Sequence, residues 1–283
     1  MPTVDEYAQG RPAPPLRDRI AFYSGYRQCG LPPGRHRGLP SPYLTLIFTM
    51  DDPLVISEHP DGRQTPDTYR ALLGGLHLRP AMIAHDGRQS GVQVALHPLG
   101  CRELLGLPAG ELAGLDIDPA AILGESFVAR VRERLCAAVD WPARFAVLDA
   151  AFGALPATRP ARPGTERVAH VWAALRRGAP ASIAELAGQV GWTPRHLTDR
   201  FRAEVGLRPK EAARIARFDR ARRALRPGTR LADLAAEHGY ADQSHLVRDF
   251  QAFAGCAPSR WLSDEFGFVQ AAAAADDHDG VHD

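Results

Sequence analysis

Long apolar runs are missing from this sequence. No stretch of about 18 apolar residues occurs, which excludes a membrane-spanning helix. Also missing is a basic N-terminal segment followed by an apolar run: Asp5 and Glu6 lead straight into prolines. No secretion signal is therefore expected, and the chain is expected in the cytoplasm, away from membranes. Cysteine is scarce, and Cys29, Cys101, Cys136 and Cys256 stand far apart. That dispersal argues against a disulfide framework or a cysteine-based zinc site and suits a reducing compartment. Lysine is almost absent; Lys210 is the single one among 34 basic residues. So strong an arginine bias reads as the base composition of the gene rather than a binding preference. The nucleophile elbow, the Walker loop and the dinucleotide fingerprint are all wanting, so no enzyme and no cofactor is expected.

What is present fits a globular chain of two domains. It has 283 residues, 45% hydrophobic and 24% charged. The net charge of +1 conceals an asymmetry: residues 180–260 hold 14 Arg and Lys against 9 Asp and Glu. A locally basic segment in a near-neutral chain suits a polyanion-binding domain beside one with another task. It suits a solvated surface equally well.

Residues 1–120 read as short strands and turns. Tyr43–Thr49 is an apolar, β-branched run, and Gly91–His97 alternates so that Val92, Val94 and Leu96 share a face. Turn signals such as Pro32-Pro33-Gly34, Pro60-Asp61-Gly62 and Asp86-Gly87 lie between. Many short strands with such turns predict a small β-sandwich or barrel. From Glu125 the period changes. Phe127, Val128, Val131, Leu135 and Val139, then Phe145, Leu148, Ala151 and Phe152, predict a helix pair over 125–154. The segment 156–165 is proline-rich and aperiodic and reads as a linker between a domain at 1–155 and one at 166–264. Residues 265–283, alanines followed by Asp and His, read as a disordered tail.

The helical domain repeats itself. Ile183-Ala-Glu-Leu-Ala187, Gly191-Trp192, Leu197, Phe201 and Gly206-Leu-Arg-Pro209 recur as Leu231-Ala-Asp-Leu-Ala235, Gly239-Tyr240, Leu246, Phe250 and Gly255-Cys-Ala-Pro258. Each copy meets the needs of a helix-turn-helix. Ala187 and Ala235 let the two helices approach closely, and Gly191 and Gly239 supply the sharp turn. Thr193-Pro194 and Asp242 cap the second helix of each copy, while Leu197/Phe201 and Leu246/Phe250 give it a buried seam. That leaves Arg195, His196, Thr198, Asp199 and Arg202 facing outward in the first copy, and Gln243, Ser244, His245, Val247 and Arg248 in the second. Arginine pairs with guanine edges, Gln with adenine and small apolar groups with thymine methyls, so these are candidate DNA contacts. For His196, Asp199 and His245, contact and a solvated helix face stay equal alternatives. Between the copies, Ile215, Phe218, Ala221 and Leu225 stripe a helix of about 24 Å. With the flanking units it can set the two reading helices about 34 Å apart, one turn of duplex.

The long pattern Gly239-Tyr240-x-Asp242-Gln243-Ser244-His245-Leu246-x-Arg248-x-Phe250, with the first copy and the closing Ala257-Pro258-Ser259-Arg260-Trp261, resembles the DNA-binding domain of the AraC/XylS (arabinose-regulator) family. The resemblance covers about Arg167 to Trp261, a third of the chain. Asp199 departs from it, because the first reading helix of that family often carries a basic residue there. His36–Pro42, Gly74–His77 and His85–Gln93 resemble the N-terminal half of a group of actinobacterial regulators in the same family. The resemblance implies a two-domain α+β chain. Its N-terminal domain would be a cupin-like sandwich or barrel for sensing or dimerisation, and its C-terminal domain all-α with two helix-turn-helix units. It further implies double-stranded operator DNA, RNA polymerase, a small-molecule effector and a second copy of the chain as partners.

His36, His59, His77, His85 and His97 lack the His-x-His and following Glu of a cupin metal site. They are read as turn or surface histidines, with no metal expected. Arg79, His85, Arg88 and Gln93 are the candidates for lining an effector pocket, against strand-edge polar residues with no ligand. The pair 125–154 reads equally as a dimer interface or as packing on the β domain. Two rival functions are kept open. One is an alkylation-repair methyl acceptor, which would need a clustered reactive cysteine. The other is an adaptor that has lost DNA binding.

Overall fold

The computed structural model describes residues 3–156, 162–178 and 181–264. Most of the expected linker's core, residues 157–161, and the whole expected tail, 265–283, lie outside them. The N-terminal half carries ten strands: β1 (Val4–Gly10), β2 (Ile20–Cys29), β3 (Gly34–Gly38), β4 (Leu44–Thr49), β5 (Leu54–Glu58), β6 (Asp67–Tyr69), β7 (Ala71–Gly74), β8 (Ala81–His85), β9 (Gln89–Leu96) and β10 (Asp116–Ile117). They form a six-stranded sheet ordered β1-β2-β9-β4-β7-β10 and a four-stranded sheet ordered β3-β8-β5-β6. All the pairings are antiparallel.

Strand alternation decides what each face of the larger sheet does. Leu44, Leu46 and Phe48 on β4 and Val92, Val94 and Leu96 on β9 are wholly buried. They join one core with Leu104, Leu135 and Leu148 from helices. Those helices are α1 (Cys101–Leu105), α2 (Ala120–Leu123), α3 (Glu125–Ala137) and α4 (Trp141–Gly153). Gly25 on β2 makes room for α4, because a Cβ there would lie 2.3 Å from the Trp141 ring. The opposite face of the same sheet carries Ser24, Thr45, Gln89 and Gln93 and looks toward the smaller sheet.

The helix pair forms as its periodicity predicts, with two differences. Val139 falls beyond the end of α3 and is 89% exposed, so it is no part of the apolar stripe. The residues 98–112, read as part of the strand-and-turn region, are helical: Pro98–Gly100 and Ala109–Leu112 are 3-10 turns on either side of α1. Pro98 sits where its missing N–H is harmless, and Gly106 closes α1 at φ +77°.

The C-terminal half is helical: α5 (Thr165–Arg177), α6 (Ile183–Gln189), α7 (Pro194–Val205), α8 (Pro209–Ala224), α9 (Leu231–Glu237), α10 (Gln243–Ala254) and α11 (Pro258–Asp264). Its buried residues belong to the same contiguous core as the sheet's helical face. The chain therefore places its β domain and its helical domain against each other with no break in the apolar interior.

Candidate nucleic-acid interface and interdomain cavity

Each helix-turn-helix is built as its sequence requires. In the first, Ser182 caps α6 reciprocally with Glu185. Gly191 turns at φ +68°, and the Thr193 side chain accepts from the backbone N–H of His196 to start α7. In the second, Gly239 turns at φ +75° and Asp242 accepts from the N–H of His245 to start α10. Ala187, Leu197, Phe201, Ala235, Leu246 and Phe250 are all buried to within 1%.

The ten outward candidates divide by environment. Arg195, His196, Asp199 and Arg202 on α7 and Gln243, Ser244 and Arg248 on α10 are exposed, and Thr198, His245 and Val247 are half-buried. The Thr198 hydroxyl donates back to the Pro194 carbonyl at 2.8 Å, and the Arg248 Nε donates to the Ser244 carbonyl at 3.2 Å. Both histidines stand edge-on to the aromatic residue of their own turn: His196 on Trp192 at 4.8 Å and His245 on Tyr240 at 5.1 Å. They occupy equivalent places in the repeat, so this edge-on contact with the turn is common to both copies. His245 is held further by the Arg217 Nη2, 3.1 Å from its Nε2. The recurrence of a His after a turn aromatic was visible in the sequence and points to this positioning role.

The second reading helix is braced by the connecting helix. Arg214 and Arg217 on α8 reach Asp249 of α10 at 2.8 and 3.1 Å, and Asp249 is only 3% exposed. Arg217 also lies over the Tyr240 ring at 4.5 Å. The first reading helix is braced by the β domain. Arg102 of α1 meets Glu204 of α7 at 3.1 Å, with 7% and 4% of the two side chains exposed. Beside this pair Gly110 touches the α7 backbone: a Cβ on it would fall 2.2 Å from the Ala203 carbonyl oxygen.

A cavity of about 320 Å³ lies between the two sheets and opens toward the helical domain. Tyr7, Ser24, Tyr26, Thr45, Gln93 and Asp116 give it a polar wall, and Ile47, Leu54, Ile56, Leu72 and Ile83 an apolar one. Arg222 and Arg223 from the end of α8 and Arg226 just beyond it, with Trp261 from α11, stand at its mouth. Arg222 and Arg223 both bind the buried Asp219, at 2.7 and 2.9 Å. Burial alone would raise the Asp219 carboxyl, yet the two guanidiniums outweigh it and hold it below its ordinary range. His36 on the cavity wall is pushed down to about 3 by burial, aided by the neighbouring His85, so it stays uncharged at neutral pH.

Of the expected effector residues, the structure brings only Gln93 to this cavity. Arg79 borders a separate cleft beside Arg202 and Arg208. Arg88 pairs with Asp51 and Asp52 at the surface, and His85 receives the Gly87 N–H on its Nδ1. The reading of the five histidines as turn or surface residues fails at His36 and His77, which line the cavity, and most plainly at His59. Its side chain is fully buried, with Nδ1 2.7 Å from the Asp116 carboxylate and no partner for Nε2. A buried polar ring needs such a partner, and Asp116 arrives from a strand 57 residues away, which no local pattern announces. Sequence reasoning also missed the cavity's polar wall. Its residues alternate with apolar ones as a solvent-facing strand edge would, and only the lack of charge on all but Asp116 sets them apart.

Residues 186–264 match a family model described as a helix-turn-helix domain, and residues 8–118 match one described as a domain of unknown function (DUF6597). No curated protein matches the chain. Among solved structures it is similar to ToxT from Vibrio cholerae O395, with a TM-score of 0.53 at 10% identity over 93% of this chain and 98% of that one. A further crystal form of Vibrio cholerae ToxT gives 0.51 at 11% identity over the same shares. That likeness shows the two-domain fold, a β-rich N-terminal domain followed by a helical one. The C-terminal unit is a helix-turn-helix domain of the AraC type. The protein is thus a DNA-binding transcription regulator, a class that is not one of enzymes. Among the described residues no helix is long and apolar enough to cross a membrane.

Proposed function

We propose that the protein is a sequence-specific, one-component regulator whose two reading helices take two DNA elements about one helical turn apart, while a small molecule in the β domain adjusts that engagement. Residues 1–155 are its sensing domain and 166–264 its DNA-binding domain, joined by 156–165. Arg195, His196, Thr198 and Arg202 would face one major groove, and Gln243, Ser244, His245, Val247 and Arg248 the next. The observation that carries this reading is the pair of capped, outward-facing helices α7 and α10 on one chain. Within each set, the exposed Arg195, Gln243 and Arg248 are the base readers, and the histidines, edge-on to the turn aromatics, hold the helices in place.

The cavity supports the sensing half. Its volume lies at the lower end of the range for small-molecule sites, and its paired polar and apolar walls suit a compact ligand of mixed polarity. RNA polymerase contact and cytoplasmic residence belong to the same reading. The helix pair offers a mixed outward side to a second copy: α3 exposes Glu125, Arg130, Glu133 and Arg134, whereas α4 exposes Pro142, Ala146 and Ala150, so dimerisation through the pair would centre on α4.

Selection of random duplexes against the full-length protein tests the proposal, followed by titration of the winners at two salt concentrations. A two-element motif, with affinity falling about tenfold or more over a few-fold rise in salt, is the expected result. Enrichment of no motif would refute sequence-specific reading.

A further inference from the structure

Besides the Arg176–Tyr43 contact on α5, the β domain touches the DNA-binding domain at two places that bear on its reading units. One foot stands on the first reading unit. There the Arg102 guanidinium donates to both carboxylate oxygens of Glu204, from Nη2 at 3.1 and 3.2 Å and from Nε at 3.4 Å. Ala109 and Gly110 press on the end of α7, with the carbonyl oxygen of Ala109 3.1 Å from where a Cβ of Gly206 would sit. The other foot stands on the end of the connecting helix and on α11, which packs on the second reading helix through Trp261 and Phe250. Arg37 of β3 pairs with Asp264 of α11 at 3.1 Å, and Arg223 at the end of α8 lies over the Phe22 ring of β2 at 5.6 Å. The cavity adjoins this second foot, whose Phe22, Arg37 and Arg223 line it.

The connecting helix is packed in its own domain through the buried Ile215 and Phe218, but the turns at its ends leave the angle between the units to be set. It is flanked by left-handed glycines, Gly206 at φ +93° before it and Gly228 at φ +81° after it, and such positions are ready points of rotation. A buried ion pair adds little to stability over an apolar contact, but its geometry is selective, because a displaced partner leaves a charge out of water.

We propose that the N-terminal domain is a strut between the two reading units, pinned to the first by Arg102 and Glu204, and that it sets which spacing between DNA elements the protein accepts. Glu204 and Arg102 are positioning residues; neither faces DNA. The connecting helix holds the units together, and the strut fixes their angle. The inference rests on the two-element reading proposed above.

The test uses full-length protein and the two elements recovered from selection, joined by spacers that differ one base pair at a time. Wild type is expected to favour one spacing by about tenfold or more over its neighbours, and Glu204→Gln to reduce that preference to about threefold or less while still requiring the same element sequences. The exchanged pair Arg102→Glu with Glu204→Arg is expected to recover the narrow preference. Should Glu204→Gln fail to melt cooperatively, Arg102→Lys keeps the charge, loses the forked contact and carries the same expectation. A variant as selective for spacing as wild type would overturn the strut. So would an exchanged pair as permissive as the single variant, since packing around Arg102 would then be the cause. If wild type recovers no two-element motif at all, it is the DNA reading that fails, which is a separate result from an unchanged spacing profile.

Discussion

The two helix-turn-helix units share a pattern of small, turn, cap and seam residues, yet their reading helices are supported in different ways. The second leans on its own domain, through Asp249 and the arginines of α8. The first leans on the other domain, through Glu204 and Arg102. At the place in the repeat that Asp249 holds, the first unit has Arg200, which donates to the Pro163 carbonyl at the surface. Where the first unit has Glu204, the second has the buried Phe253. A duplicated fold has kept its apolar seam and moved its buried carboxylate by one turn. One unit is thereby self-contained and the other answerable to the β domain.

The largest effect expected from this difference is in stability. Asp249→Ala would strand two guanidiniums against the second unit and cost about 2–4 kcal/mol, whereas Arg200→Ala at the equivalent place would cost under about 1 kcal/mol. Urea melts of the two variants measure the contrast, and equal losses would erase it. Next comes readout. Arg248→Ala is expected to weaken binding by about 1–3 kcal/mol and relax the preference at one base of the second element, with Arg195→Ala doing the same at the first. Titrations on duplexes with one element scrambled assign each loss to its unit.

A smaller effect tests the seam between the domains. His97 is held down to about 4, chiefly by burial and then by Arg176, whose Nη2 donates to the Tyr43 hydroxyl at 2.7 Å. A histidine lowered on folding binds fewer protons than its unfolded counterpart. Its environment therefore destabilises the fold as pH drops from about 6.5 toward 4, by about 1–2 kcal/mol at pH 5. Melting temperatures of wild type should fall over that window, and those of His97→Gln should fall less. The smallest effect should be symmetrical. Gly191 and Gly239 both have φ above +60° and open space around them, so alanine at either costs about 1 kcal/mol through backbone strain alone. Unequal losses would mean that the turns differ as well as their supports.

Much of this was legible in the sequence, because caps, turn glycines and apolar periods are local. Thr193, Asp242, Gly191 and Gly239 declare the reading helices without reference to anything distant. The β strands and the pair α3 and α4 were legible for the same reason. The supports were not. Arg102 and Glu204 lie 102 residues apart, and either alone reads as an ordinary surface charge. The short helix that carries Arg102 is five residues long, too brief for a period to show. Gln93, expected from the sequence at an effector pocket, lines the cavity. Nothing in the spacing of Arg222, Arg223 and Arg226 reveals that a sheet from another domain stops beside them.

The position of those arginines has a practical consequence for anyone screening compounds. The β domain expressed by itself would present an unroofed trough in place of a chamber, because Arg222, Arg223, Arg226 and Trp261 all come from the other half of the chain. Hits against such a fragment would be ranked by a shape the intact protein never offers. A library should therefore meet the whole polypeptide first.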